Sequence, residues 1–271
     1  MNLEQSSQNS PLEAQQLSGG YADRRIVEAV NLTLQSGEWL SLVGANGSGK
    51  STLLRLLSRI LPAQSGAVLL DSKDIHTLSP SAVAQRLAIL PQQQTLPAGL
   101  TVQQFVSLGR TPHQPWWQWD LDAESRRWIN QALAWTELGA YCDRPLSELS
   151  GGERQRAFLA LALAQNPKVI LLDEPTTFLD IHYQLQLLSL LKRLNKEQRL
   201  SIITVLHDIN LAARYSDRIA FLRSGQLWTV GSVETVLKPE VIQAVFEIDA
   251  AILMTPVGPQ ICPLSAANSS T

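Results

Sequence analysis

The order of apolar segments predicts an α/β fold: a mostly parallel sheet core interleaved with helices, an inserted helical subdomain and an antiparallel β edge. Three observations carry that reading. Runs of strand length alternate with stretches whose apolar residues recur at the helical period. Val169 to Leu172 is continuously apolar, as a parallel strand covered on both faces must be. A glycine-rich segment, Gly44 to Ser51, joins a strand-like run to a helix-like one.

In chain order, residues 1–20 are rich in Gln and Ser with few large apolar side chains, and read as a disordered leader. The folded domain is therefore expected over residues 21–262. Trp39 to Val43 is an apolar-leaning strand closed by Gly44, and Ser51 to Ile60 follows with Leu53, Leu54, Leu56, Leu57 and Ile60 at helical spacing. From about residue 93 to 163 the alternation breaks. Trp116, Trp117, Trp119, Trp128 and Trp135 are followed by an Ala/Leu-rich helical stretch, which we read as the inserted subdomain. Trp128 and Trp135, seven apart on one helical face, read as packing. After Val169 to Leu172, the segment Leu185 to Leu194 carries a stripe of Leu187, Leu188, Leu191 and Leu194. Ser201 to Leu206 is a β-branched strand, and Arg218 to Leu222 another, ended by a Ser224-Gly225 turn. Pro239 to Cys262 has apolar residues enough to pack, and residues 263–271 read as a flexible tail.

Composition narrows the function classes. The chain has 271 residues, with 22 Lys and Arg against 24 Asp and Glu, a formal charge of −2. Such a balance argues against a nucleic-acid partner, which wants a strongly basic surface. The two cysteines, Cys142 and Cys262, lie far apart, which argues against a disulfide framework or a structural zinc site. No run approaches the roughly 18 apolar residues of a membrane span. The polar opening, with Arg24 as first positive charge, shows no secretory signal, so a location on the side of the membrane where the chain is made is expected.

Gly44-Ala45-Asn46-Gly47-Ser48-Gly49-Lys50-Ser51 matches G-x-x-x-x-G-K-[ST], a phosphate-binding P-loop. Glycines let backbone N–H groups wrap an anion at the start of a helix, Lys50 brings a point charge to the β- and γ-phosphates, and the Ser51 hydroxyl suits Mg²⁺. Asp173-Glu174 ends the apolar strand; two adjacent carboxylates at a buried strand end are costly unless a cation meets them. In a P-loop fold Asp173 is placed to hold Mg²⁺ through water and Glu174 to accept a proton from the attacking water. A helix N-cap pair is the competing reading. His207 ends a further strand, within reach of a γ-phosphate; a structural histidine is its rival. Leu149-Ser150-Gly151-Gly152-Glu153-Arg154-Gln155 reads as a helix N-terminus capped by Ser150, a second anion site that would serve another copy's nucleotide.

With these motifs in order, the chain resembles the ATP-binding subunits of ABC transporters, a P-loop NTPase (RecA-like) fold, over nearly all of Tyr21 to Cys262. Gly44 to Ser51 resembles the Walker A motif, LSGGERQ the family signature and VILLDEP Walker B, with His207 as the switch histidine. The resemblance implies Gln92, in LAILPQ, as a Q-loop glutamine that touches the metal and relays its state to the membrane partner. It implies Tyr21, 23 residues before Gly44, as the aromatic stacking on adenine, an ordinary edge aromatic being the rival reading. It also places Thr52 among the nucleotide contacts and Asp180 as a dimer-facing aspartate. Glu153, where Gln is common, and Phe178, where a small residue is common, depart from the usual pattern without touching an atom hydrolysis needs.

LGRTPHQ, EPTTFLDIHYQ and VLHDINLAARYSDRIAFLRSGQ resemble the branch importing ferric siderophores, haem or cobalamin, the ferric-chelate branch most of all. The resemblance implies ATP and Mg²⁺, a homodimer of ATPase subunits, integral permease subunits, a substrate-binding protein, and a peripheral position at the cytoplasmic face of the inner membrane. Tryptophans 116, 117 and 119 fall where the family faces its permease, with core packing as the alternative. The rival functions are the same role in cobalamin or haem import, and a soluble non-transport ABC ATPase; the single short half and the lack of a basic patch argue against the latter.

Overall fold

The computed structural model describes residues 10–22, 24–115, 117, 120–177 and 179–266. The first stretch holds β1 (Leu12–Tyr21), β2 (Arg24–Leu34), β3 (Trp39–Val43), α1 (Lys50–Leu57), β4 (Ser65–Leu70) and β5 (Lys73–Asp74). Then come α2 (Pro80–Ala84), β6 (Leu87–Leu90), α3 (Val102–Ser107), α4 (Ala123–Trp135), α5 (Gly151–Ala164), β7 (Val169–Asp173) and α6 (Ile181–Gln198). The remainder is β8 (Ser201–Val205), α7 (Ile209–Tyr215), β9 (Arg218–Arg223), β10 (Gln226–Ser232), α8 (Val233–Val236), α9 (Pro239–Phe246), β11 (Ile248–Thr255) and β12 (Gly258–Ala266). The chain forms two compact units, residues 1–76 with 201–271, and residues 77–200.

In the first unit β3 lies between β8 and β9, parallel to both, and β10 closes the edge antiparallel to β9. Every residue of β3 is buried, because neighbours flank it on both sides and helices cover such sheets. Its polar members are satisfied inside: Trp39 Nε1 donates to Thr204 Oγ1 at 2.9 Å, and Ser41 Oγ bonds Thr204 Oγ1 at 2.8 Å and Ser216 Oγ at 2.5 Å. Beside it stands an antiparallel sheet in the order β2-β1-β4-β5.

The leader and tail expectations need correction. Residues 12–21 are not disordered: β1 pairs with both β2 and β4 and buries Leu12, Ala14 and Leu17. Its Gln15 and Gln16 are exposed, so polar composition masked a strand whose inward positions are apolar. Residues 1–9 lie outside the described residues. The tail is ordered strand as far as Ala266, since β12 pairs with β11 along its length; residues 267–271 are outside. Trp116, Trp119 and Phe178 are outside as well, while Trp117 is exposed.

In the second unit β6 and β7 run parallel. The stretch expected as a helical insertion carries α3, α4 and α5, each of which starts on a side-chain cap. Arg110, 2% exposed, ties it together by donating to Ala164 O at 3.0 Å and Ser125 Oγ at 3.3 Å. Phe105 and Phe158 meet edge to face at 5.0 Å, and Trp128 and Trp135 pack with ring centroids 6.4 Å apart, as their spacing predicts.

Candidate active site

Strand β3 ends at Val43 and α1 begins at Lys50, leaving Gly44 to Gly49 as the turn between them. Gly47 and Gly49 have φ of 77° and 100°, values that a side chain would strain. The helix carries no side-chain cap at Gly49 and no acidic residue in its first turn. Its positive dipole end thus meets no negative side chain from its own first turn, which favours an anion there. Lys50 is buried, and its Nζ donates to Gly44 O at 2.8 Å and Ala45 O at 3.0 Å, which holds the ammonium across the loop.

Ser48 is also buried, and its Oγ has no hydrogen-bond partner among the described residues. A buried orphan hydroxyl is costly, and a phosphate oxygen would satisfy it. A Cβ at Gly44 would stand 2.7 Å from that Oγ and 2.3 Å from Leu222 O, so only glycine allows this closeness. The loop is steadied from the β9–β10 turn, where Gly225 N donates to Ser48 O at 3.0 Å. Backbone N–H, ammonium and hydroxyl donors with no carboxylate in the loop fit a polyphosphate. Ser51 and Thr52 complete the first turn of α1.

His207 comes off the same sheet edge. Leu42 of β3 lies opposite Val205 of β8, and Leu206 N donates to Leu42 O at 3.3 Å, so Gly44 and His207 follow adjacent strand ends. His207 is exposed, and Asp208 after it caps α7 by accepting from Asn210 N and Leu211 N. Tyr21 ends β1 with 44% of its surface exposed, and its hydroxyl accepts from Arg55 Nη1 of α1 at 2.6 Å. The ring is therefore anchored to the helix that follows the loop.

The second unit repeats the topological device. Leu90 of β6 lies opposite Leu172 of β7, so Gln92 and Asp173-Glu174 leave one edge. Gln92 Nε2 donates to Glu174 Oε2 at 2.5 Å, and Thr177 Oγ1 donates to the same oxygen at 3.1 Å. Glu174 has φ of 52°, a left-handed backbone that a non-glycine residue adopts at a cost of order 1–3 kcal/mol and that recurs at functional sites. Asp173 is buried. The oxygen donors Ser51, Gln92 and Asp173 are of the hard type that Mg²⁺ takes.

Ser150 is the N-cap of α5, as expected, and the cap is reciprocal: Glu153 N donates to Ser150 Oγ at 3.4 Å, and Ser150 N donates to Glu153 Oε2 at 2.7 Å. The Ser150 N–H, and then its hydroxyl, hold the Glu153 carboxyl below the ordinary carboxylate range. Ser150 and Gly151 are exposed and Gly152 half-buried. Gln155 Nε2 donates to Pro175 O at 3.1 Å, tying this helix to the turn after Glu174. Asp180 caps α6 by accepting from Tyr183 N at 3.0 Å.

The structure thus joins Gln92 directly to Glu174 and brings the loop and His207 to one edge. Tyr21, residues 44–52 and His207 belong to the first unit; Gln92, Ser150 to Gly152, Asp173, Glu174 and Asp180 belong to the second. Sequence reading missed Glu153 as the cap's second half and Thr177 as a holder of Glu174. The S-x-x-E spacing from Ser150 carries the first signal; nothing local carries the second.

The chain is similar to known proteins over most of its length. The ABC transporter family model matches residues 27–177. The chain is 46% identical to an iron(3+)-hydroxamate import ATP-binding protein of Bacillus subtilis (strain 168), over 90% of this chain and 91% of that one. Its fold superposes on a chain of a metal-chelate type ABC transporter solved in an inward-facing conformation, with a TM-score of 0.81, 27% identity, and coverage of 94% and 98% of the two chains. It also matches a dimeric ATP-binding cassette in a post-hydrolysis state bound to ADP and Pi, with a TM-score of 0.69, 29% identity, and coverage of 82% and 98%. The chain belongs to the ATP-binding proteins of the ABC transporter family.

Proposed function

We propose that this chain is the ATP-hydrolysing subunit of a ferric-siderophore importer, working as a homodimer with integral permease subunits and a substrate-binding protein at the cytoplasmic face of the inner membrane. The observation that carries the cargo is the likeness to an iron(3+)-hydroxamate import protein along almost the whole of both chains. What supports the chemistry is the loop itself, with its buried Lys50 and orphan Ser48 hydroxyl.

In this reading two copies close on two ATP molecules. Each nucleotide is held by residues 44–52 of one copy, with Tyr21 against the adenine, and by Ser150-Gly151-Gly152 of the other, with Asp180 facing the dimer. Mg²⁺, when bound, neutralises phosphate charge; Ser51, Asp173 and Gln92 are the residues that would hold it. Glu174 takes a proton from the water that attacks the γ-phosphorus, while the β–γ bridging oxygen leaves with ADP. Gln92 and Thr177, both bonded to Oε2, fix the orientation of that carboxylate. Lys50 and His207 steady the γ-phosphate charge. Driving the dimer from 1:99 to 99:1 closed takes about 5.5 kcal/mol of differential binding, which contacts to the γ-phosphate supply and hydrolysis removes. Gln92 couples that closure to the permease.

The test is uptake of labelled ferric hydroxamates, ferric catecholates, haem and cobalamin in cells lacking the chain, with rescue by wild type and by Glu174→Gln. Loss confined to a ferric chelate and restored by wild type alone is the expected result. Loss of cobalamin or haem uptake instead would move the cargo to those classes, and unchanged uptake throughout would refute the import role.

A further inference from the structure

The unit of residues 77–200 carries a half-open groove of about 350 Å³, most of whose lining residues the proposed nucleotide chemistry does not use. Its apolar walls are Trp135 at the end of α4 with Tyr183 and Leu190 of α6. Two guanidiniums, Arg156 of α5 and Arg193 of α6, and one carboxylate, Glu137, also line it. Volume and lining are those of a small-ligand pocket, mostly apolar with a few convergent polar groups.

One of the two arginines is poorly satisfied. An arginine carries five N–H donors. Arg156 reaches the Glu137 carboxylate only at 3.4 Å, and its Nε is buried with no hydrogen-bond partner among the described residues. Arg193 is exposed, and its Nη2 donates to Trp135 O at 3.4 Å. The buried Arg156 Nε is costly without an acceptor, and a planar acceptor that fits the guanidinium fork removes that cost. Aromatic walls beside an excess of cationic donors select a flat ring that bears a negative group, and disfavour a cation of the same shape.

We infer that this groove binds a small planar aromatic carboxylate, whose ring lies against Trp135 and Tyr183 and whose carboxylate bonds Arg156 and Arg193. The wall also contains Gly152 and Gln155, in the first turns of the helix that Ser150 caps, so occupancy is coupled to the signature segment and hence to ATP turnover.

Fluorine NMR of 6-fluoro-2-naphthoate, titrated into the full chain, tests the site. At ordinary ligand efficiency a ligand of this size binds with a Kd of about 1 mM. The expected results are saturable binding, at least tenfold weakening in Arg193→Gln, and no binding of 2-naphthylmethylamine. Trp135→Leu serves as a second variant, expected to weaken binding while far-UV circular dichroism and ATP binding stay intact. Saturating naphthoate is expected to change the ATPase rate of wild type and not that of Arg193→Gln. Absent saturation, equal binding of the amine, or wild-type affinity in both folded variants would overturn the site. Binding that leaves the ATPase rate unchanged would overturn the coupling.

Discussion

Glu153→Gln separates charge from hydrogen bonding at the start of the signature helix. In the native cap the short bond is the one the carboxylate accepts, 2.7 Å from Ser150 N, against 3.4 Å for its return partner. Gln keeps an acceptor at this position and loses the negative charge beside the helix N-terminus. That charge is worth about 0.3–1 kcal/mol, and solvent screening at this half-buried position holds it to the middle of the range or below. Glu153→Ala loses the acceptor too, and costs about 1–2 kcal/mol by analogy with cap deletions. In a domain of this size 1 kcal/mol moves Tm by about 2–4 °C, so Gln is expected to lower Tm by about 1–3 °C and Ala by several degrees.

The pH dependence gives the sharper check. The Glu153 carboxyl is held low chiefly by the Ser150 N–H and then by the Ser150 hydroxyl; burial opposes them, and the Tyr141 hydroxyl and Arg144 guanidinium add smaller pulls. A depressed folded-state value means the stability is present above the unfolded pKa, about 4.3, and is lost as pH falls through the folded value. The wild-type advantage over Gln should therefore be level from pH 6 to 8 and shrink below about pH 4. Thermal unfolding by circular dichroism across that range measures it. A variant as stable as wild type at pH 7, or a gap that widens on acidification, would refute the reasoning.

Three further outcomes are expected. Glu174→Gln should cut phosphate release at least about 100-fold while ATP still binds, because the proposed general base is gone and the loop is untouched. Tyr21→Ala should weaken binding of a fluorescent ATP analogue about tenfold and Tyr21→Phe far less, since a stacking ring is worth about 1–1.5 kcal/mol while the exposed bond to Arg55 is worth little. Gly225→Ala should fail to accumulate as folded protein, because its Cβ would stand 2.0 Å from Ile26 O at a φ of 81°. Gly47→Ala has nothing within 4 Å of the added carbon and should fold at a cost of about 1–2 kcal/mol in a denaturant melt.

What the sequence makes legible is whatever one local period or one motif determines. The apolar run at Val169 to Leu172 is strand, and the leucines at 187, 188, 191 and 194 are the buried stripe of α6. The candidate phosphate loop is legible from its own glycines and lysine. What stays hidden depends on partners distant in the chain. β1 reads as polar because half of a paired strand faces water, and only β2 and β4 make it a strand. β12 likewise takes order from β11 and from Asn210, which holds both the N–H and the C=O of Ile261. Thr177 reaches Glu174 only because the turn after β7 folds back, a geometry that no spacing rule announces.

The same contrast accounts for where the chemistry sits. Parallel neighbours put their C-terminal ends on one edge, so residues more than 150 positions apart, such as Gly44 and His207, arrive side by side once β3 and β8 pair. Gln92 and Glu174 meet for the same reason across β6 and β7. A left-handed glutamate and a buried hydroxyl with no partner among the described residues both occur after strand ends, in the turns that follow β7 and β3. A strand interior spends its backbone groups on its neighbours, whereas its end must turn, and the turn can offer N–H groups and side chains to a bound group. Rigid pairing thus fixes where each group stands, and the strained turns leave it able to react.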